Sequence, residues 1–170
     1  RAGTLDVHEF LRFQLAPLAE NDAKTLAAWR SRYLAEIIEP LILPTARALL
    51  DGHRQQDHVL LIITATNRFL TGPIASAFGV EHLIASEPEI IDGRYTGQVS
   101  GTPSYGDGKV IRYHAWLDEN NLHVEESWFY SDSHNDLPLL EEVSHPVAVD
   151  PDTVLRKEAE VRGWPIISLR

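Results

Sequence analysis

The sequence predicts an α/β fold, a three-layer core around a parallel sheet with a helical module in front of it, and three observations carry that reading. The first fifty residues repeat their apolar positions at helical spacing. From His58 onward, apolar runs of strand length alternate with helical segments. The first of these runs, residues 59–63, is apolar without interruption, as a strand buried on both faces requires.

In chain order, Asp6 and Glu9 have the spacing of a capping box, and Val7, Phe10, Leu11 and Leu15 then share one helical face until Pro17 ends the helix. Asn21 reads as the N-cap of a second helix, in which Leu26, Trp29, Tyr33 and Ile37 recur at helical spacing before Pro40. Pro44 suits the first turn of a third helix over residues 45–50, closed by Gly52 in a left-handed C-cap. Residues 1–38 therefore read as a helical module and residues 39–170 as the α/β core. After the strand at 59–63 come a helical segment over 73–78, a short strand over 82–86, a strand or hairpin arm over 95–100 and a helix over 109–117. Strands at 127–130, 146–149 and 165–169 then alternate with helices at 137–143 and 153–162, and such βα repeats predict right-handed crossovers.

At 170 residues and 44% hydrophobic, the chain can bury a sizeable core. Its 25 acidic against 15 basic residues give a net charge of −10, which repels nucleic acid and acidic membrane surfaces, so a phosphate site must be built locally. The absence of cysteine excludes disulfides, thiolate metal sites and cysteine nucleophiles. No apolar run approaches the roughly 18 to 20 residues that span a bilayer, and a soluble, cytoplasmic protein is expected.

Ligands of an open α/β sheet bind beyond the C-terminal ends of its strands, which singles out two clusters. The first is Thr64-Ala65-Thr66-Asn67; a Thr64 hydroxyl there can donate to a phosphoryl oxygen, with backbone N–H groups of the next turn completing an anion cradle. A threonine after a strand is equally at home as a turn residue or an N-cap. The second cluster is Ser131-Asp132-Ser133-His134-Asn135-Asp136. It sets two carboxylates four residues apart, hard oxygens suited to Mg²⁺. Against that stands a helix-capping role for Asp132 or Ser133, with Asp136 stabilising the positive helix end. Lys109 follows the turn Gly106-Asp107-Gly108 at a predicted helix start, where a cation opposes the helix dipole unless an anion faces it; the alternative is a solvated surface lysine. Asp150-Pro151-Asp152 imitates a nucleophile loop, but Pro151 reads as the first helical residue after an Asp150 N-cap.

The order of these clusters resembles motifs II, III and IV of the haloacid dehalogenase (HAD) superfamily. Residues 64–67, Gly72-Pro73-Ile74-Ala75, Phe78-Gly79-Val80, residues 92–97, Gly108-Lys109-Val110 and residues 130–140 are similar to its phosphoserine-phosphatase-like branch. The resemblance implies a Rossmann-like core with a helical cap, here residues 1–38, and a Mg²⁺-dependent phosphomonoesterase acting on a small phosphorylated metabolite such as phosphoserine or histidinol phosphate. It implies that Thr64, with Ala65, binds the phosphoryl group and that Lys109 neutralises its charge. By the same resemblance Asp132 ligates Mg²⁺, Asp136 holds a metal-bound water or orients Lys109, and Asn135 contacts the phosphate. The cap of this branch reads the leaving group, for which residues 1–38 offer His8, Arg12, Arg30, Arg32 and Tyr33 as polar or cationic candidates. The resemblance also leaves open a phosphotransferase and a non-catalytic phosphate-binding relative.

The branch carries an Asp-x-Asp nucleophile motif at the end of a strand before the cap. Asp6, Asp22, Asp51 and Asp57 follow no predicted strand, so the nucleophile is expected outside this chain, which by itself should be inactive.

Overall fold

The structure, a computed structural model, describes residues 7–170, the side chain of His8 excepted. Asp6 of the expected capping box thus lies outside the described residues, as does the His8 side chain. The chain forms two compact units. One takes the chain up to Ile42 together with Leu49–Ser104, and the other takes Leu43–Ala48 together with Tyr105–Arg170. Among the described residues, no helix is long and apolar enough to cross a membrane.

The first unit opens with α1 (Val7–Glu20), which runs straight through Pro17 rather than ending there. The carbonyl that Pro17 cannot bond is that of Phe13, a residue 79% exposed, so water can satisfy it while Leu11, Leu15 and Leu18 hold the helix down by burial. Phe10, expected on the buried face, is 39% exposed. The cap of α2 (Ala23–Tyr33) is Asp22, not Asn21: its carboxylate accepts from the Thr25 N–H, while the Asn21 amide donates back to the Pro17 carbonyl. On α2 the buried face runs through Leu26 and Arg30 instead of along the expected stripe. The Arg30 guanidinium lies over the Phe69 ring, 4.6 Å from its centre, and Trp29, Tyr33 and Ile37 are left exposed. A π-turn (Leu34–Ile38) and a 3-10 turn (Glu39–Leu41) follow.

Helix α3 (Pro44–Arg54) continues past Leu50 and through Gly52, which keeps helical backbone; the chain leaves it at Asp57, with φ of 59°. Strand β1 (Leu61–Asn67) is followed by α4 (Arg68–Ala77), β2 (His82–Ile91) and β3 (Arg94–Ser100), in sheet order β1-β2-β3. The first half of β2 pairs parallel with β1, and its second half pairs antiparallel with β3. Asp92 and Gly93, with φ of 51° and 75°, make the tight turn between β2 and β3. Because β2 is the one partner of β1 among the described residues, β1 is half-buried over most of its length instead of enclosed on both faces, and Val59 lies ahead of it, exposed. Two clusters form the core: Leu15, Leu18 and Leu26 with Phe69, Tyr95 and Val99, and Ala75, Leu83 and Ala85 with Ile62. Gly97 takes a φ of 81°, a left-handed conformation that favours glycine, where β3 passes Ala19 of α1.

The second unit comprises α5 (Asp107–Glu119), β4 (Trp128–Ser131), a 3-10 turn (His134–Asp136), α6 (Leu137–Glu142), β5 (His145–Val149), α7 (Thr153–Arg162) and β6 (Ile166–Ile167). Its three strands pair in the order β4-β5-β6, all parallel, with helices as the connections. Leu140, Ala148, Leu155 and Ala159 form the core, with Phe129, Leu137, Trp164 and Ile166 against it. The cap of α7 is Asp152, whose carboxylate accepts from the Val154 and Leu155 N–H groups, and not Asp150. Asp150 instead holds a left-handed turn at φ of 44° and accepts from the Leu169 N–H.

Candidate active site

The second unit gathers polar side chains at the C-terminal end of β4 and the start of α5. Helix α5 begins at a sharp corner, Gly106, whose φ of 51° and ψ of −129° are disallowed to residues with a Cβ. The corner sends Lys109 inward from the first helical turn, and the lysine is 6% exposed, which excludes the solvated-surface reading. Its Nζ donates to Asp136 Oδ1 over 2.5 Å. The other oxygen of that carboxylate, Oδ2, accepts from the Ser131 hydroxyl at 2.7 Å. An anion therefore does face the lysine at the positive end of α5, and it is a residue of the chain itself.

The turn after β4 is held by Ser133, which caps the 3-10 turn by accepting from the Asn135 N–H, and by Ser131, which accepts from the Ser133 N–H. The Asn135 amide is fixed from both ends: its Nδ2 donates to Ser133 Oγ at 3.1 Å and its Oδ1 accepts from the Tyr105 hydroxyl at 2.8 Å. Asp152 braces the same turn from the start of α7, accepting from the His134 N–H at 2.8 Å and lying 2.8 Å from His134 Nδ1. Burial pushes the Asp152 carboxyl up, but the donors from His134, Leu155 and Val154 outweigh it and hold the group at about 2. Asp132 projects from this turn with an exposed side chain.

As a cation site, the turn offers one accessible carboxylate, Asp132. Asp136 has both oxygens engaged by Lys109 and Ser131, a geometry that suits the second of its two expected roles, orienting the lysine. A single protein carboxylate is compatible with Mg²⁺, which keeps several waters and takes the rest of its shell from phosphate oxygens. Among the described residues, no group of three or more His, Asp or Glu side chains converges as a metal cage.

Thr64 and Ala65 belong to the first unit, at the C-terminal end of β1. Here the β1–β2 register slips. Ile63 pairs with Ile84 and Asn67 with Ser86, so β1 spends four residues where β2 spends two, and residues 64–66 bow out of the ladder. Thr64 is not an N-cap; that role falls to Asn67, whose side chain accepts from the Leu70 N–H. The Thr64 hydroxyl oxygen accepts from the Thr66 N–H at 3.2 Å, which removes this N–H from the expected anion cradle. Ala65 C=O accepts from the buried hydroxyl of Ser86 at 2.8 Å.

Comparison with known proteins fixes the wider context. Residues 1–141 match the family described as haloacid dehalogenase-like hydrolases. The chain belongs to this family. A histidinol-phosphatase of Neisseria meningitidis is 43% identical over 99% of the chain and 78% of its own length. Phosphoserine phosphatase SerB1 of Mycobacterium tuberculosis is 32% identical over 97% of the chain, which spans 54% of that protein. A crystal structure of a protein of unknown function from Bordetella pertussis superposes with a TM-score of 0.96 at 44% identity, over 99% of this chain and 77% of that one. A substrate-bound phosphoserine phosphatase shares the fold, with a TM-score of 0.70 at 15% identity over 98% of this chain and 73% of its own. The chain is thus a Rossmann-like α/β enzyme of the HAD hydrolase family, whose relatives include proteins named as phosphatases.

Within this HAD chain, the strand-end rule singles out Asp132, Asn135 and Asp136, and the helix start after a glycine turn singles out Lys109, while the roles of Ser131, Tyr105, Ser86 and Asp152 are not legible in the sequence. For Tyr105 and Ser86 the sequence carries no signal, because each acts on a residue about twenty or more positions away.

Proposed function

We propose that the protein is a Mg²⁺-dependent phosphomonoesterase for a small metabolite of the histidinol-phosphate type. The observation that carries the reading is the enclosed Lys109–Asp136–Ser131 network at the end of β4. A cation so fixed costs little reorganisation when phosphoryl charge develops beside it, and positioning with charge stabilisation is most of what phosphoryl transfer requires of a protein. Identity of 43% to a histidinol-phosphatase, against 32% to a phosphoserine phosphatase, favours the first substrate over the second.

In this reading Thr64 donates its hydroxyl to the transferring phosphoryl group and Lys109 offsets that group's charge. Asp136 holds Lys109 in place, and Asn135, steadied by Tyr105, contacts the phosphate. Asp132 would hold Mg²⁺, which when bound supplies positive charge to the phosphoryl oxygens. Residues 1–38 serve as the cap that reads the leaving group, and residues 39–170 as the catalytic core. The reaction passes through a phospho-aspartyl intermediate whose nucleophile is assigned to no residue of this chain. The pair Asp150 and Asp152, which does follow a strand, is committed to the left-handed turn and to capping α7.

The test is phosphate release by the protein expressed from its complete reading frame, with histidinol phosphate, phosphoserine and an aryl phosphate as substrates. Release is expected in Mg²⁺, abolished by EDTA and restored by added Mg²⁺, with histidinol phosphate turned over fastest. Equal turnover without divalent metal overturns the reading, and a phosphorylated alcohol appearing in place of free phosphate identifies a phosphotransferase.

A further inference from the structure

From the geometry at the end of β1 we infer that Ser86 is a positioning residue for the Thr64 hydroxyl, acting through the Ala65–Thr66 peptide. The inference rests on the proposed contact between Thr64 and the phosphoryl group and deepens it.

Residues 64–66 stand between the paired positions Ile63 and Asn67, where the β1–β2 register shifts and no ladder partner on β2 is assigned to them. Ser86 supplies a side-chain partner. Its side chain is fully enclosed, at 0% exposure, and its hydroxyl donates to the Ala65 carbonyl at 2.8 Å. A peptide unit is planar, with C=O and the following N–H pointing in opposite directions. Drawing the Ala65 carbonyl toward β2 therefore turns the Thr66 N–H away from β2, and that N–H donates to Thr64 Oγ1 at 3.2 Å. With one lone pair of Thr64 Oγ1 taken by this donor, the hydroxyl's own proton is directed elsewhere and is available to an acceptor such as a phosphoryl oxygen. Ser86 thus sets the orientation of a hydroxyl that it does not touch.

The acceptor side of Ser86 is engaged as well, since its Oγ receives the Ser104 N–H at 3.4 Å. Water cannot replace either bond at a site closed to solvent. Ser104 lies next to it and is equally enclosed, yet its own Oγ has no hydrogen-bond partner among the described residues. The two neighbouring serines therefore differ in one respect that experiment can use: the side chain of Ser86 orients the bowed segment, whereas Ser104 contributes only its backbone N–H, which substitution by alanine retains.

The experiment measures kcat, KM and the inhibition constant of inorganic phosphate in the full-length protein for Ser86→Ala, Ser86→Cys, Ser104→Ala and Thr64→Val, with thermal unfolding of each. Ser86→Ala is expected to lower kcat and weaken phosphate inhibition, each on the order of tenfold, the scale of one oriented hydrogen bond. Ser86→Cys, a weaker donor of similar size, should fall between it and the wild type, and Ser104→Ala should leave all three constants unchanged. If Ser86→Ala does not fold, Ser86→Cys carries the comparison, and reduced phosphate affinity in a cooperatively folded protein is the supporting result. Unchanged constants in the Ser86 variants beside an impaired Thr64→Val overturn the positioning role alone. Unchanged constants in the Ser86 variants and in Thr64→Val overturn the phosphate contact of Thr64 and this inference with it.

Discussion

Lys109 and Asp136 are joined by a 2.5 Å contact between Nζ and Oδ1, with side chains only 7% and 11% exposed. A pair so enclosed is costly to desolvate, and its attraction in the interior does little more than offset that cost, so it is poor evidence for stability in itself. What it secures is placement: the ammonium is fixed at the first turn of α5, and the carboxylate is fixed by the lysine on one oxygen and by Ser131 on the other.

The first prediction follows from the asymmetry between breaking such a pair and removing it. Lys109→Met leaves Asp136 enclosed with one partner gone and should cost about 3–5 kcal/mol of stability, measured by denaturant unfolding. Replacing both groups, as Lys109→Met with Asp136→Leu, should recover most of that loss because no charge remains buried. Activity should fall on the order of a hundredfold or more in both variants, since neither offers a preorganised cation. Single and double variants of equal stability would show that the two side chains are not coupled.

The second prediction concerns acid. The Asp152 carboxyl is held at about 2, below its ordinary value of 3.8, so its contribution to folding is fully present above about 3.8 and is lost as pH falls through about 2. The side chain is 37% exposed, so water screens it and the contribution is of the order of 1 kcal/mol, the scale of a helix cap. Asp152→Asn should melt below the wild type at neutral pH, and the gap should narrow between pH 3.8 and 2 as the wild-type carboxylate takes up its proton. A gap of constant size across that window would assign the effect to cap geometry rather than charge.

How far the sequence carried depended on whether the deciding interaction was local. The extent of α7, residues 153–162, could be read from its local pattern, although the sequence offers two Asp residues there and the cap is Asp152 rather than the expected Asp150. The full length of β2 could not. Glu87-Pro88-Glu89 looks like a break, and Pro88 is tolerated because that half of the strand pairs on one side alone, with β3, among the described residues. Pro17 misled for the converse reason, since its local penalty falls on a solvent-facing carbonyl while three leucines are buried. At the site, a strand-end position singled out Asp136 and a helix-start position singled out Lys109, but their pairing joins residues 27 apart and emerges only from the packing of α5 against α6.

The third prediction separates Arg12, Arg30 and Arg32, the arginines of the helical module that could read the leaving group. Arg30 is engaged within the first unit, where its guanidinium covers the Phe69 ring and donates to the Phe69 carbonyl at 3.3 Å. Arg30→Ala should therefore lower stability by about 1 kcal/mol, through lost cation–π contact and packing of its stem. Arg32 is exposed and pairs with Glu36 one turn on, a contact worth roughly 0.3–0.5 kcal/mol, and its removal should be nearly silent. Arg12 is exposed on α1, so if the module reads the leaving group through an arginine, Arg12→Ala should change the order of kcat/KM across a panel of phosphomonoesters, while Arg32→Ala keeps it. The expected direction is a selective loss on substrates with further polar groups and little change on a simple aryl phosphate, because only the former has groups for the arginine to bond. An unchanged ranking in all three variants would mean that these arginines do not select the substrate, and it would leave the chemistry at Lys109 and Asp136 untouched.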